Sequence, residues 1–215
     1  MSVSGTFILT HGLGQTADSW RETAAALDGR GEVFCPELSA LLRGQSTEYG
    51  VLYRSFAAYC GERAQPLHLC GLSLGGMLAL SYAIEHPARV ASLVLIAVPA
   101  AAPRALLAVQ DAVFRLMPSA AFAELGFSRA DFRALCRSAG EVDHRAALPG
   151  LALPALVLVG ERDRANRKFA RTLAELLPQA EYAEIPGAGH EANTDAPAAL
   201  GKLVRDFYER KGVFS

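Results

Sequence analysis

No apolar run in this sequence reaches the roughly 18 residues that a membrane-spanning helix requires, although hydrophobic residues make up 51% of its 215 positions. Asp, Glu, Lys and Arg interrupt the apolar stretches. The opening residues, MSVSGTFILTHG, lack the positive segment and apolar core of an export signal, so a cytoplasmic protein is expected. Charge is not gathered into blocks of either sign: 21 Lys and Arg stand against 22 Asp and Glu, for a net charge of −1. That balance leaves no electrostatic footprint for nucleic acid or an anionic membrane. Cysteine is scarce. Cys35, Cys60, Cys70 and Cys136 show neither C-x-x-C spacing nor neighbouring histidine pairs, which leaves zinc binding and dithiol redox chemistry unsupported and points to buried, reduced thiols. There is no repeat and no low-complexity segment.

What is present suits one domain with a single core. Short apolar runs of strand type recur at TFILT (6–10), EVFC (32–35), LHLC (67–70), ASLVLIA (91–97), ALVLVG (155–160) and AEYAEI (180–185). Helical periodicity separates most of them, in TADSWRETAAALDG, STEYGVLYRSFAAYCGERA, MLALSYAIEHP and NRKFARTLAELLPQ. Such alternation indicates an α/β fold with a parallel sheet covered on both faces. The interval 98–154 breaks the rhythm. It is too long for an ordinary connection and too apolar for a linker, with Leu106, Leu107, Val113, Phe114, Leu116, Met117, Phe122, Leu125, Phe127, Phe132 and Leu135 at helical spacing. The expectation is a small helical cap over 98–154 inserted into a core of 1–97 and 155–215. For most of these residues, packing against the main core is the simpler account.

The stretch LHLCGLSLGGMLAL (67–80) sets Ser73 between Gly71 and Gly75, where a buried strand gives way to a helix. A serine on that junction is held in a strained turn, which glycines permit because a Cβ at either position would strike the neighbouring chain. It is presented beyond the carboxyl ends of the strands, where open α/β sheets bind their ligands. The helix behind it aims free N–H groups at negative charge. A serine hydroxyl attacks only when a base takes its proton, and that base needs an orienting acid.

Of the five histidines, His190 in PGAGHEAN follows the last strand on a glycine-rich loop and is the candidate base. His86 closes the helix after Ser73, where a cation suits the dipole; His68 lies within a strand as a core residue; His144 belongs to the cap; His11 reads as a hydrogen-bonding residue of its loop. For the acid, Asp163 lies in VGERDR just beyond ALVLVG, while VPAAAPRA after ASLVLIA offers no carboxylate. Glu161 reads as a rim charge, and Glu191 is expected to point away from its neighbour's ring. The turn THGLGQ, made possible by Gly12 and Gly14, can leave backbone N–H groups free for an oxyanion, and Leu13 and Leu74 are the expected donors.

HGLG (11–14) with Trp20 downstream, GLSLGGM (71–77), EHPARVASLVLI (85–96), VGERD (159–163) and PGAGHEAN (186–193) together resemble the α/β-hydrolase fold superfamily, and within it small cytoplasmic esterase, lactonase and thioesterase-like members. The resemblance spans nearly the whole chain outside the cap. It implies a serine hydrolase of a small ester, lactone or thioester with Ser73, Asp163 and His190 as triad, a small-molecule substrate, and no metal or organic cofactor. Superfamily members commonly begin with an antiparallel hairpin before the HG-containing turn; here that turn starts at residue 11, so a shortened version is expected. The implied sheet is six parallel strands in the order EVFC, TFILT, LHLC, ASLVLIA, ALVLVG, AEYAEI, with EVFC at an edge. A related menaquinone-pathway lyase tends to show G-Y-S-L-G-G-R at the elbow, where this chain has Leu72 and Met77. Lyase chemistry on the same site, and a non-catalytic binding protein on a hydrolase fold, are the alternative readings.

Overall fold

The computed structural model of the protein describes residues 5–103, 112, 115–116, 122 and 127–214. Its strands are β1 (Gly5–Thr10), β2 (Gly31–Phe34), β3 (Leu67–Leu72), β4 (Val90–Ile96), β5 (Ala155–Gly160) and β6 (Ala180–Ile185). Every pairing is parallel and the order is β2-β1-β3-β4-β5-β6, the sheet that the sequence implies. The described helices are α1 (Arg21–Ala25), α2 (Leu38–Leu41), α3 (Tyr49–Gly61), α4 (Leu74–Glu85), α5 (Arg129–Ala139), α6 (Arg164–Leu176), α7 (Ala192–Asp195) and α8 (Pro197–Arg210). Among the described residues, no helix is long and apolar enough to cross a membrane.

The central strands are apolar on both faces because successive side chains point to opposite sides and both sides are covered. Ile8, Leu69, Leu95 and Val157 join α2 to α6 in one core layer. Phe7, Leu9, Leu72, Val94 and Leu158 join Trp20, Leu27 and α8 in the other. Helix α8 lies outside the helical stretches expected from the sequence, though Pro197 in its first turn and the spacing of Leu200, Val204, Phe207 and Tyr208 carry its signal. The segment TADSWRETAAALDG is broken into a 3₁₀ turn (Ala17–Trp20) and the five residues of α1, with Gly29 at φ 72° just beyond. The edge strand β6 is only half-buried, and its Glu181 and Glu184 pair with Arg210, Lys211, Arg167 and Arg171. Cys60, Cys70 and Cys136 are buried free thiols, whereas Cys35 is half-buried.

Within the interval 98–154, the capping box of Ser128 and Asp131 starts α5. Thr47 donates to Asp131 at 2.6 Å and the Ser138 hydroxyl accepts the Tyr49 N–H at 2.9 Å, docking α5 on the start of α3. Phe122, Phe127, Phe132 and Leu135 are buried in the α2 to α6 layer, while Leu116 is exposed. Leu106, Leu107, Val113, Phe114, Met117 and Leu125 lie outside the described residues. His144 returns the chain to the sheet: its Nε2 lies 2.8 Å from Ser81 Oγ on α4, and the same hydroxyl lies 2.8 Å from Tyr49 Oη on α3.

Candidate active site

Parallel pairing brings the ends of the strands into line. Thr10 is opposite Gly71, Leu72 opposite Ile96, Ile96 opposite Leu158, and Gly160 opposite Ile185. The segments carrying His11 to Gln15, Ser73, Asp163 and His190 therefore leave one edge of the sheet, the carboxyl edge, where such sheets place their sites.

Ser73 occupies φ 50°, ψ −114°, a conformation that a side chain ordinarily avoids at a cost of about 1–3 kcal/mol. Two bonds clamp it there: its N–H donates to the Ile96 carbonyl at 2.8 Å and its carbonyl accepts the Met77 N–H at 2.9 Å. The elbow is tight enough to demand glycine on both sides. A Cβ on Gly75 would stand 2.2 Å from the Thr10 carbonyl oxygen, and one on Gly71 would stand 2.5 Å from backbone atoms of Gly75 and Gly76. Gly12 packs against Leu72 and Ser73, and Gly14 takes φ 93°. Among the described residues, the N–H groups of Leu13 and Leu74 have no hydrogen-bond acceptor. Leu74 opens the twelve-residue α4, so the helix dipole adds to its donor character.

His190 is brought to Asp163 with Nδ1 2.8 Å from Oδ2. Asp163 is 7% exposed and also caps α6, accepting the Asn166 N–H at 3.2 Å. The Asn166 side chain was not foreseen from the sequence. Its Nδ2 lies 2.9 Å from both Asp163 oxygens and 3.1 Å from His190 Nδ1. Since a carboxylate only accepts, His190 Nδ1–H and the Asn166 amide both donate to it, which leaves His190 Nε2 as the basic nitrogen. Burial acts to raise the Asp163 carboxyl, but the bonds from His190 and Asn166 outweigh it and hold the group below the ordinary carboxylate range. Among the described residues, no hydrogen bond joins Ser73 Oγ to His190; such contacts commonly tighten when substrate arrives.

The other titratable groups fall into structural places. Glu161 accepts the Gly187 N–H at 2.9 Å. His11 is 1% exposed, with Nδ1 2.9 Å from its neighbour's carbonyl and Nε2 within reach of Glu37 and of the Leu38 N–H. His68 lies 2.8 Å from Ser92 Oγ and stacks on Phe7, and burial pushes its pKa down to about 4. His86 ends α4 as the sequence suggests. No described group of three or more His, Cys, Asp or Glu is placed to hold a metal ion.

Residues 7–202 match the sequence profile described as the Alpha/beta hydrolase family. The chain belongs to that family. No curated protein matches it by sequence. Three solved structures show the shared fold. A thermophilic esterase from Thermogutta terrifontis is 20% identical with a TM-score of 0.78, over 99% of this chain and 92% of that one. The enol-lactonase from Burkholderia xenovorans LB400 is 20% identical with a TM-score of 0.79, over 96% and 92%. NosK from Streptomyces actuosus is 26% identical with a TM-score of 0.80, over 96% and 98%. This alpha/beta hydrolase thus shares its architecture with an esterase and an enol-lactonase.

Proposed function

We propose that this alpha/beta hydrolase is a serine hydrolase of small carboxylic esters, lactones or thioesters. The observation that carries the reading is a strained Ser73 on the sheet edge it shares with a hydrogen-bonded His190–Asp163 pair. Ser73 Oγ forms a bond to the carbonyl carbon while its proton passes to His190 Nε2. The oxyanion so formed is held by the N–H groups of Leu13 and Leu74. Collapse breaks the bond to the leaving group, which takes the proton from His190. Water then gives a proton to His190 Nε2 and adds to the acyl carbon, and the bond to Ser73 Oγ breaks as Oγ takes that proton, which releases the acid and restores the serine. Asp163 keeps the imidazole in the tautomer that makes Nε2 the base. No step calls for a metal or an organic cofactor. The described part of the interval 98–154, with α5 in it, acts as the cap beside the site, and the substrate is a small molecule.

Fluorophosphonate labelling of the protein and its Ser73→Ala variant tests the nucleophile, since only an activated serine reacts quickly. A panel of p-nitrophenyl esters from acetate to decanoate, beside lactones and acyl-CoA thioesters, then identifies the class. A protein that binds such compounds without labelling or turnover would be a sensor on this fold rather than an enzyme.

A further inference from the structure

Gln15 ends the turn that carries Leu13, and Asn193 lies three residues after His190. They are 178 positions apart in sequence, yet their side chains are paired and buried, 6% and 2% exposed. Gln15 Nε2 donates to Asn193 Oδ1 at 2.9 Å, and Asn193 Nδ2 donates back to Gln15 Oε1 at 3.1 Å. Asn193 and Gln15 make further bonds as well. The second Asn193 Nδ2 proton reaches Ser19 Oγ at 2.9 Å, whose own proton goes to the Thr16 carbonyl at 2.8 Å. The Gly12 N–H extends to Gln15 Oε1 at 3.4 Å, so the clasp also holds the backbone just before Leu13.

No strand pairing joins β1 directly to β6, because β3, β4 and β5 lie between them in the sheet, so the two loops meet only through contacts such as this one. Resting on the reading above, the spacing matters: an oxyanion on the Leu13 N–H and a leaving group beside His190 belong to the same tetrahedral carbon. A misplacement of about 1 Å in such a constellation can cost about a hundredfold in rate. We infer that Gln15 and Asn193 are positioning residues, a reciprocal carboxamide clasp that fixes the oxyanion turn against the loop of the base. Neither touches the reacting atoms; the clasp acts through the backbone of Gly12 to Leu13 and of His190 to Asn193.

The test uses the apolar near-isosteres Gln15→Met and Asn193→Leu, singly and together. Each single variant leaves a buried carboxamide unpaired and lowers Tm, whereas the double variant removes both and regains much of the Tm. A purely structural pair predicts that kcat recovers with Tm. Positioning predicts that the folded double variant keeps kcat about tenfold or more below wild type while KM stays within about threefold. Recovery of wild-type kcat in the double variant overturns the inference. A substrate-free measurement decides the clasp even if the protein turns nothing over. In folded Asn193→Leu, hydrogen exchange of the Gly12 and Gln15 amides should quicken while the amides of β3 stay protected, and unchanged exchange at both overturns it. Absence of turnover and of serine labelling in the wild type defeats the proposed function instead, and leaves the exchange result to judge the clasp.

Discussion

His190 Nδ1 lies 2.8 Å from Asp163 Oδ2. Two residues earlier in the same turn, Glu161 faces away and accepts the Gly187 N–H. Asp163→Asn should lower kcat by up to about four orders of magnitude, because an amide there no longer enforces the tautomer with a free Nε2. Glu161→Gln retains an acceptor oxygen for Gly187 and should change kcat less than about tenfold. Steady-state kinetics of the two variants check the assignment, which fails if they are equally damaged.

Asn166 holds both oxygens of Asp163. Asn166→Ala should free the carboxylate to rotate and lower kcat by about tenfold, the worth of a hydrogen bond to a charged group, with KM little changed. An unchanged kcat would remove Asn166 from the site.

Ser73→Ala should lose most turnover, since the members of a triad act as a unit and losing the serine can cost about a millionfold in kcat. Retention of more than about a tenth of the esterase activity would sink the assignment. The strained backbone adds a stability test. Glycine accepts φ 50° where alanine still carries a Cβ, so Ser73→Gly should exceed Ser73→Ala by about 1 kcal/mol in urea denaturation.

Phe132 of α5 lies beside the turn that carries Leu13, with Cε1 3.8 Å from where a Cβ on Gly14 would stand. Its ring packs edge-on against Phe122 and Phe127, at 4.9 and 5.8 Å between centroids. On the proposed function, an acyl chain that packs against this apolar cluster should be uncharged and gain about 0.8 kcal/mol per buried methylene until the space is full. Phe132→Ala should flatten that dependence across the p-nitrophenyl series. A preference for dicarboxylates over neutral esters would refute it.

Burial pushes His68 and His144 down to about 4, from an ordinary value near 6.5. Between those values the unfolded chain binds protons that the folded one refuses, so stability rises with pH. The contribution is complete above pH 6.5 and drains away as pH falls toward 4. About 2 kcal/mol from each histidine should be gone by pH 5. Urea midpoints at pH 7.5 and pH 5 measure the loss, and His144→Gln should roughly halve it. Equal midpoints for the wild type would contradict the account.

Much of this molecule is legible in local pattern. Alternating apolar runs and helical stretches specify a parallel sheet because a strand with both faces covered must be apolar on both. Glycines around Ser73 mark the elbow because that turn excludes a Cβ, and Ser73, Asp163 and His190 each follow a strand. Helix α8 also carries a local signal, in Pro197, Leu200 and Val204. Other features have no local signature. Nothing near Asn166 reveals that its amide faces the Asp163 carboxylate, and nothing near residue 15 or 193 reveals a partner across the sheet. Sequence by itself determined the backbone plan and the residue types at its edge, since propensity and periodicity act over a few neighbours. Only the tertiary structure decided that Asn166 joins the Asp163 carboxylate and that Gln15 pairs with Asn193, because hydrogen-bond partners are chosen by distance and direction in space, which chain separation does not encode.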